Sequence, residues 1–365
     1  MADNVAPSDR ATATRLASQP LEAGDPAPHI SAFDQAGEPA FTNADLVTGR
    51  PLVLLFCPLD EESSTAGLAG FRDRHEDFET LDATLFAFSR RPLEINRAIH
   101  AALGLPFKLL ADDVGEIFRA FDVEAAPVAA VLDPNHRIAR ILRAEASTVQ
   151  DSASLADAVL AYLRAGFAPS GTRVRAQAPI LLLPRVLGER DCARLVELFH
   201  RPVRAWPSDG FRSEGHSKEP GDFKVDHAGG YGQLTEYVVR DPAVQQFLDQ
   251  CFNRRVGREM RKAFQTRVSQ REDYRIARYD SASGGVLHPH RDNATKETAH
   301  RRFTMTINLN AGDYEGGALR FREYGDHYYE VERGTAVIWS ATLLHEVMPV
   351  TKGARFILGV HMYGT

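Results

Sequence analysis

The hydrophobic pattern changes period partway along this chain, and that change constrains the fold more than any other feature. Residues 20–165 alternate short apolar runs with amphipathic ones, whereas residues 274–363 hold short strand candidates separated by turn residues. Alternating strands and helices require a layered α/β domain, while a succession of short strands requires a sandwich or small barrel. One core cannot serve both patterns, and 365 residues suffice for two domains.

In the first region, 52–56 and 84–88 read as buried strands, 95–103 as a helix and 128–132 as a third strand. Asp133-Pro134-Asn135-His136 is a turn by composition, which makes 138–142 a return strand and 152–163 a closing helix. The expected domain covers 20–165. Residues 166–178, with Pro169, Ser170 and Gly171, read as a linker, and 1–19, rich in Ala, Ser and Thr without a period, as a disordered tail.

The second expected domain covers 179–365. Cys192, Leu195, Val196 and Phe199 fall at helical spacing, and Asp241-Pro242 supplies an N-cap followed by proline at the first helical position. Val244, Phe247, Leu248, Cys251 and Phe252 give that helix an apolar face, so Cys192 and Cys251 read as core residues. Strand candidates follow at 274–279, 302–309, 317–322, 327–332, 334–339, 343–348 and 355–363, with the helices expected to pack outside them.

Charge and cysteine content exclude several functions. Forty-three basic against 49 acidic residues leave a net charge of −6, with no overall basic field for a phosphate backbone, so no nucleic-acid partner is expected. Cys57, Cys192 and Cys251 lie far apart, odd in number, as suits reduced thiols, and cannot build a metal site alone. No apolar run reaches the ~18 residues of a membrane span. The expectation is a soluble, cytoplasmic protein with no membrane partner.

The chemistry concentrates near the C-terminus. His290 and Asp292 are two apart, so on an extended strand both project from one face, and His345 follows 53 residues later. Two histidines and one carboxylate on one face of a metal leave three positions open, the arrangement of non-haem Fe(II) oxygenases. With 13 histidines in the chain such spacings arise by chance, so the surroundings decide.

Those surroundings are Tyr279, His290-Arg291-Asp292-Asn293, Asn308-Leu309-Asn310, Glu315-Gly316-Gly317-Ala318-Leu319-Arg320-Phe321, and the run from His345-Glu346-Val347-Met348-Pro349 to Arg355. From about Pro179 to Thr365 the sequence resembles the 2-oxoglutarate/Fe(II)-dependent dioxygenases of the prolyl-hydroxylase type, whose fold is a double-stranded β-helix, or jelly-roll. The resemblance assigns His290, Asp292 and His345 to iron and Arg355, ten residues past the distal histidine, to the far carboxylate of 2-oxoglutarate. It gives Tyr279 a hydrogen bond on that carboxylate. Asn308 is a candidate for supporting the site or for packing. Leu287 stands where the family often has an aromatic residue, and His361 where it often has tryptophan. On one strand Arg355, Ile357, Gly359 and His361 share a face, so His361 is expected in the same cavity, touching substrate or cosubstrate or serving as an interior histidine. His288 and His300 read as solvated loop residues.

Asp25-Pro26-Ala27-Pro28, Phe33-Asp34, Cys57-Pro58-Leu59-Asp60, Phe71-Arg72, Leu105-Pro106-Phe107 and Val131-Leu132-Asp133-Pro134 occur in the order seen in peroxiredoxins. The first domain therefore resembles a thioredoxin-fold, peroxiredoxin-like domain. That chemistry needs a thiolate at a helix start and an arginine beside it. Ser63-Ser64-Thr65 lies where the cysteine turn belongs, Pro127 about where the arginine belongs, and Cys57 sits too early, at a strand end.

The resemblances together imply an Fe(II)- and 2-oxoglutarate-dependent dioxygenase that uses O2, with ascorbate as auxiliary reductant, and hydroxylates a small-molecule amino acid, a peptide or a protein side chain. The peroxiredoxin-like domain would be an inactive scaffold suited to packing on the oxygenase or on a second subunit, which makes a homodimer an expectation. Asp292 supplies the carboxylate whose absence would make room for halide, so halogenation is disfavoured. The rival reading is a redox-sensing or protein-interaction module with a vestigial iron site.

Overall fold

The computed structural model describes residues 20–42, 47–58, 62–144, 149–168, 173–207, 221–229 and 232–364. The expected tail at 1–19 and the linker residues 169–172 lie outside them. Two compact units divide between Thr172 and Arg173.

In the first unit the order is β1 (Ser31–Phe33), β2 (Pro39–Phe41), β3 (Leu52–Phe56), α1 (Glu62–Arg72), α2 (His75–Thr80), β4 (Thr84–Ser89), α3 (Leu93–Leu103), β5 (Lys108–Ala111), α4 (Glu116–Ala120), β6 (Val128–Leu132), β7 (Ile138–Arg143) and α5 (Val149–Gly166). Its main sheet runs β5-β4-β3-β6-β7, with β4 parallel and β6 antiparallel to β3. β3 is apolar at every position because both faces of the sheet are covered. Leu52, Leu54 and Phe56 pack with Phe86, Phe88, Phe118 and Phe121, while Val53 and Leu55 pack on the other face with Leu68, Phe71, Phe78 and Leu160. This is the α/β layering that the alternating pattern demanded, in the thioredoxin-like form that the peroxiredoxin resemblance implies.

The second unit contains β8 (Leu181–Leu183), α6 (Glu189–His200), β9 (Arg204–Pro207), β10 (Phe223–Gly229), β11 (Gly232–Val239), α7 (Pro242–Arg255), α8 (Gly257–Phe264), β12 (Gln270–Arg271), β13 (Tyr274–Asp280) and β14 (Val286–His290). It continues with β15 (Phe303–Asn308), β16 (Glu315–Gly316), β17 (Leu319–Arg320), β18 (Tyr328–Tyr329), β19 (Ala336–Ser340), β20 (His345–Val347), β21 (Val350–Lys352) and β22 (Ala354–Tyr363). The ladder runs β18-β17-β20-β14-β11-β13-β22-β15-β19-β8, and β11 pairs with β10, β13 and β14, so the sheet curls over itself as in a jelly-roll.

The two faces of this sheet have different partners. Tyr274, Ile276, Met305, Ile307, Phe356, Leu358, Val360 and Met362 pack with Cys192, Leu195 and Phe199 of α6, Leu248 of α7 and Met260 of α8. The intervening positions Ala277, Tyr279, Val337, Trp339 and Ile357 face a second core with Leu287, Leu319, Phe321 and Val347. α7 begins as its sequence requires, since Asp241 accepts from the main-chain N–H groups of Ala243 and Val244 at 2.8 and 3.3 Å.

Three corrections to the sequence reading follow. The strands expected at 317–322 and 327–332 shorten to β17 and β18, because Gly317 and Gly325, at φ of +69° and +112°, turn the chain outside the extended region. The metal strand ends at His290, and Asp292 lies in the turn after it, not on the strand. β9, β10 and β11 had no counterpart in the sequence reading, although Phe223-Lys224-Val225-Asp226 alternates apolar and polar residues as a half-buried strand does; in β11 the adjacent Thr235 and Glu236 interrupt that alternation.

Candidate metal centre and its cavity

His290 and His345 are cross-strand partners on β14 and β20, with ring centroids 4.3 Å apart. Pro289, which has no N–H to give the ladder, lies in the stretch where the β14–β20 register shifts, and the pairing resumes at His290. Asp292 is brought back to them by its own main chain, where its N–H donates to Ala341 at 3.0 Å and its carbonyl accepts from Arg301 Nη1 at 3.1 Å. The result is one ligand atom each from His290, Asp292 and His345, all within 4.8 Å of one another.

The protons in this group can be traced. His290 Nδ1 donates to the His288 carbonyl at 2.8 Å and His345 Nδ1 to that of Leu343 at 3.0 Å, because a carbonyl can only accept. In the neutral imidazoles both Nε2 atoms are therefore bare. They lie 3.3 and 3.5 Å from the two oxygens of Asp292. Burial pushes His345 below its usual pKa, although Asp292 opposes the shift. Burial would raise Asp292, but His345 and His290 outweigh it and hold the carboxyl well below the usual range. Neutral, the two imidazoles can present both Nε2 lone pairs to the same point as an Asp292 oxygen, an arrangement that favours a cation between them. Two imidazole nitrogens and one carboxylate oxygen suit Fe(II), with room for three further ligands.

Of the supporting groups the sequence had pointed only to His361. Thr304 on β15 donates its hydroxyl to Asp292 Oδ2 at 2.5 Å. Having spent that proton, Thr304 must accept from His361 Nδ1, 3.1 Å away, which leaves His361 Nε2 as the bare nitrogen. Burial pushes His361 down to about 4. Arg301, whose Nη1 holds the Asp292 carbonyl, grips Glu272 through Nε and Nη2 at 2.6 and 2.8 Å. His300 is exposed, 3.2 Å from Glu272, and His288 is exposed on β14, not in a loop.

One cavity is lined by the triad together with Tyr279, Leu287, Arg355 and His361, four positions singled out by sequence, and also by Glu236, Arg275, Thr304 and Trp339, which were not. Tyr279 and Arg355 are register partners on β13 and β22, and the guanidinium carbon lies 5.5 Å from the ring centroid. Burial pushes the Tyr279 phenol up, so it remains a donor. Arg355 is 7% exposed, has no carboxylate partner among the described residues, and leaves its Nε without a hydrogen bond. The indole N–H of Trp339 is likewise buried and unbonded. Buried donors of this kind fit an acidic ligand. A Cβ on Gly317 would stand 2.9 Å from Arg355 Cδ, and its φ is +69°, so both space and backbone require the second glycine of the Glu315-Gly316-Gly317 motif.

Asn308 does not line this cavity. Its amide donates to Tyr314 at 2.7 Å and to the Val331 carbonyl at 3.0 Å, and its oxygen accepts from Asn310 N. In the first unit Cys57 is fully buried just past β3, with its N–H on the Phe88 carbonyl, and burial pushes its thiol up to about 12. Ser63, Ser64 and Thr65 fall in the first turn of α1, and Pro127 is buried before β6.

Comparison with known proteins agrees with both halves. Residues 274–363 match the 2OG-Fe(II) oxygenase superfamily model, and residues 23–141 that of the AhpC/TSA family. Peroxiredoxin Bcp of Bacillus subtilis is 34% identical over 104 residues, 28% of this chain and 65% of that protein. A PKHD-type hydroxylase of Pseudomonas paraeruginosa is 35% identical over 81 residues, 20% of this chain and 36% of that protein. The chain thus spans just under two thirds of the first relative's length and about a third of the second's. The solved structure of peroxidoxin BcpB from Mycobacterium tuberculosis aligns at 23% identity over 40% of this chain and 98% of its own, with a TM-score of 0.37. The chain joins an N-terminal domain of the AhpC/TSA family to a C-terminal domain of the 2OG-Fe(II) oxygenase superfamily.

Proposed function

We propose that the chain is an Fe(II)- and 2-oxoglutarate-dependent dioxygenase that hydroxylates an amino acid, a peptide or a protein side chain. The observation that carries this reading is the convergence of one ligand atom each from His290, Asp292 and His345 beside a buried arginine that has no carboxylate partner among the described residues. Fe(II) held by His290, Asp292 and His345 supplies O2 activation coupled to decarboxylation of 2-oxoglutarate to succinate. Arg355 grips the far carboxylate of 2-oxoglutarate, and Tyr279, a donor opposite it on the next strand, adds a hydrogen bond. Leu287, Leu319, Val347 and Ile357 keep water from the rest of the cavity. The test is anaerobic addition of Fe(II) and then 2-oxoglutarate to the full chain. A visible metal-to-ligand band, followed by succinate on admitting air, is the expected result. Neither signal at saturating metal would end the reading.

Thr304 and Arg301 hold the metal-binding carboxylate in place in this scheme. Removing such an outer partner costs roughly 10–100-fold in metal affinity. Thr304→Val is expected to weaken Fe(II) or Co(II) binding by that factor in a competition titration. Thr304→Ser, which keeps the hydroxyl, is expected to restore it.

The first domain is a scaffold in this reading and does not reduce peroxides. A thiol whose pKa is pushed to about 12 is thiolate to roughly one part in 10⁵ at neutral pH, too little for peroxide attack. Wild-type chain and Cys57→Ser are both expected to consume hydrogen peroxide at the background rate with a thiol reductant. Turnover lost in the variant would revive the redox-sensing alternative. None of the three cysteines is disulfide-bonded, which supports a reducing, cytoplasmic location. Among the described residues no helix is long and apolar enough to cross a membrane.

A further inference from the structure

The cavity wall carries a second charged element with no part in holding metal or 2-oxoglutarate. Glu236 on β11 and Arg275 on β13 both line the cavity. Glu236 Oε2 accepts from His227 Nε2 at 3.1 Å and from Arg275 Nη1 at 3.2 Å. Arg275 Nη2 lies 3.7 Å from Glu272, so the arginine is shared between two carboxylates. The other oxygen, Oε1, accepts no hydrogen bond among the described residues and is absent from the buried atoms that lack a partner, which means it meets the cavity space. Burial would raise this carboxyl, yet Arg275 and His227 outweigh it and bring it down to about 2, so it is an anion at any physiological pH.

The charges facing the cavity are Glu236, Asp292, Arg275 and Arg355, which sum to zero. A divalent metal and a dicarboxylate cosubstrate also cancel. Outside the triad, the anionic oxygen on this wall that keeps an open valence is Glu236 Oε1. A carboxylate oxygen held in a half-enclosed wall favours a cationic N–H donor over a neutral one, and rejects an anion.

We propose that Glu236 Oε1 binds a primary ammonium group of the substrate, so that the site accepts an amine-bearing amino acid or peptide and discriminates against its N-acylated form. This rests on the dioxygenase reading above and narrows its substrate class. Glu236 then orients the substrate and takes no part in the oxidation.

The test uses the full chain loaded with Co(II) and 2-oxoglutarate without O2. By calorimetry it is titrated with the twenty common amino acids, their Nα-acetylated forms, and Nα-acetyl-lysine amide, whose amine is on the side chain. At least one free amine is expected to bind, with its acylated counterpart weaker by roughly 30-fold, the effect of losing one partner of a buried charge pair. The α-amine and side-chain arms tell free amino acids from lysine residues. Glu236→Gln, which keeps shape and loses charge, is expected to remove the preference while metal and 2-oxoglutarate still bind. Metal-dependent 2-oxoglutarate binding with no preference for amines would overturn this proposal alone, as would a preference that survives in Glu236→Gln. Absence of metal-dependent 2-oxoglutarate binding would overturn the dioxygenase reading and this proposal with it. The wild-type comparison of amine with acylated amine needs no variant, so it decides even if Glu236→Gln fails to fold.

Discussion

In a His290→Ala/His345→Ala double variant, Fe(II) affinity is expected to fall by well over the roughly 100-fold that loss of an outer partner can cost, because two of three protein ligands are gone. Asp292→Ala should also abolish turnover, for a different reason. Both Nε2 atoms lie within 3.5 Å of its carboxylate, so its removal leaves two imidazoles with no anion to balance the metal charge. The metal content of each variant by elemental analysis, together with the visible band of the anaerobic 2-oxoglutarate complex, measures this directly. Iron held at wild-type affinity by the double variant would mean that the triad is not the metal site. Acid should weaken metal binding in the wild type, since protons compete for the three bare acceptors.

Arg355→Lys is expected to raise the KM for 2-oxoglutarate by roughly 30-fold or more with metal content unchanged, because the charge survives but the two-pronged grip does not. Arg355→Ala should go further and remove cosubstrate binding. A second readout separates this role from a structural one. Saturating 2-oxoglutarate should raise the Tm of the metal-loaded wild type, because a ligand that binds only the folded chain stabilises it, and should leave Arg355→Ala unmoved. Among the described residues the buried Arg355 guanidinium has no carboxylate partner to lose, so the fold itself does not depend on such a contact. Equal cosubstrate affinity in wild type and Arg355→Ala would remove the assignment.

Much of this site was readable before the fold. The resemblance to the dioxygenase family picked out His290, Asp292, His345 and Arg355, and alternation along β22 put Arg355, Ile357, Gly359 and His361 on one face, all of which line the cavity. The same rule would have found Arg275, which is two and four residues from the inward-facing Ala277 and Tyr279, had charge been weighed on that face. Asn308 was open between supporting the site and packing, and its amide is taken up by Tyr314 and Val331 at the strand end.

The sequence by itself determined two domains of opposite texture, the apolar runs that make β3 a strand buried on both faces, and the absence of a thiol at the start of α1, while the ligand triad came from the family resemblance. Those features depend on side-chain type and short-range periodicity, which the linear order carries directly. Only the tertiary structure decided that Asp292 stands in a turn, tied there by Arg301 and Ala341, and that Thr304 donates to its carboxylate while accepting from His361. It also decided that Glu236 faces the same cavity, from a strand that had no counterpart in the sequence reading. These residues meet through strand pairing and sheet curvature, and a contact between chain segments tens of residues apart leaves no trace in the spacing of either one.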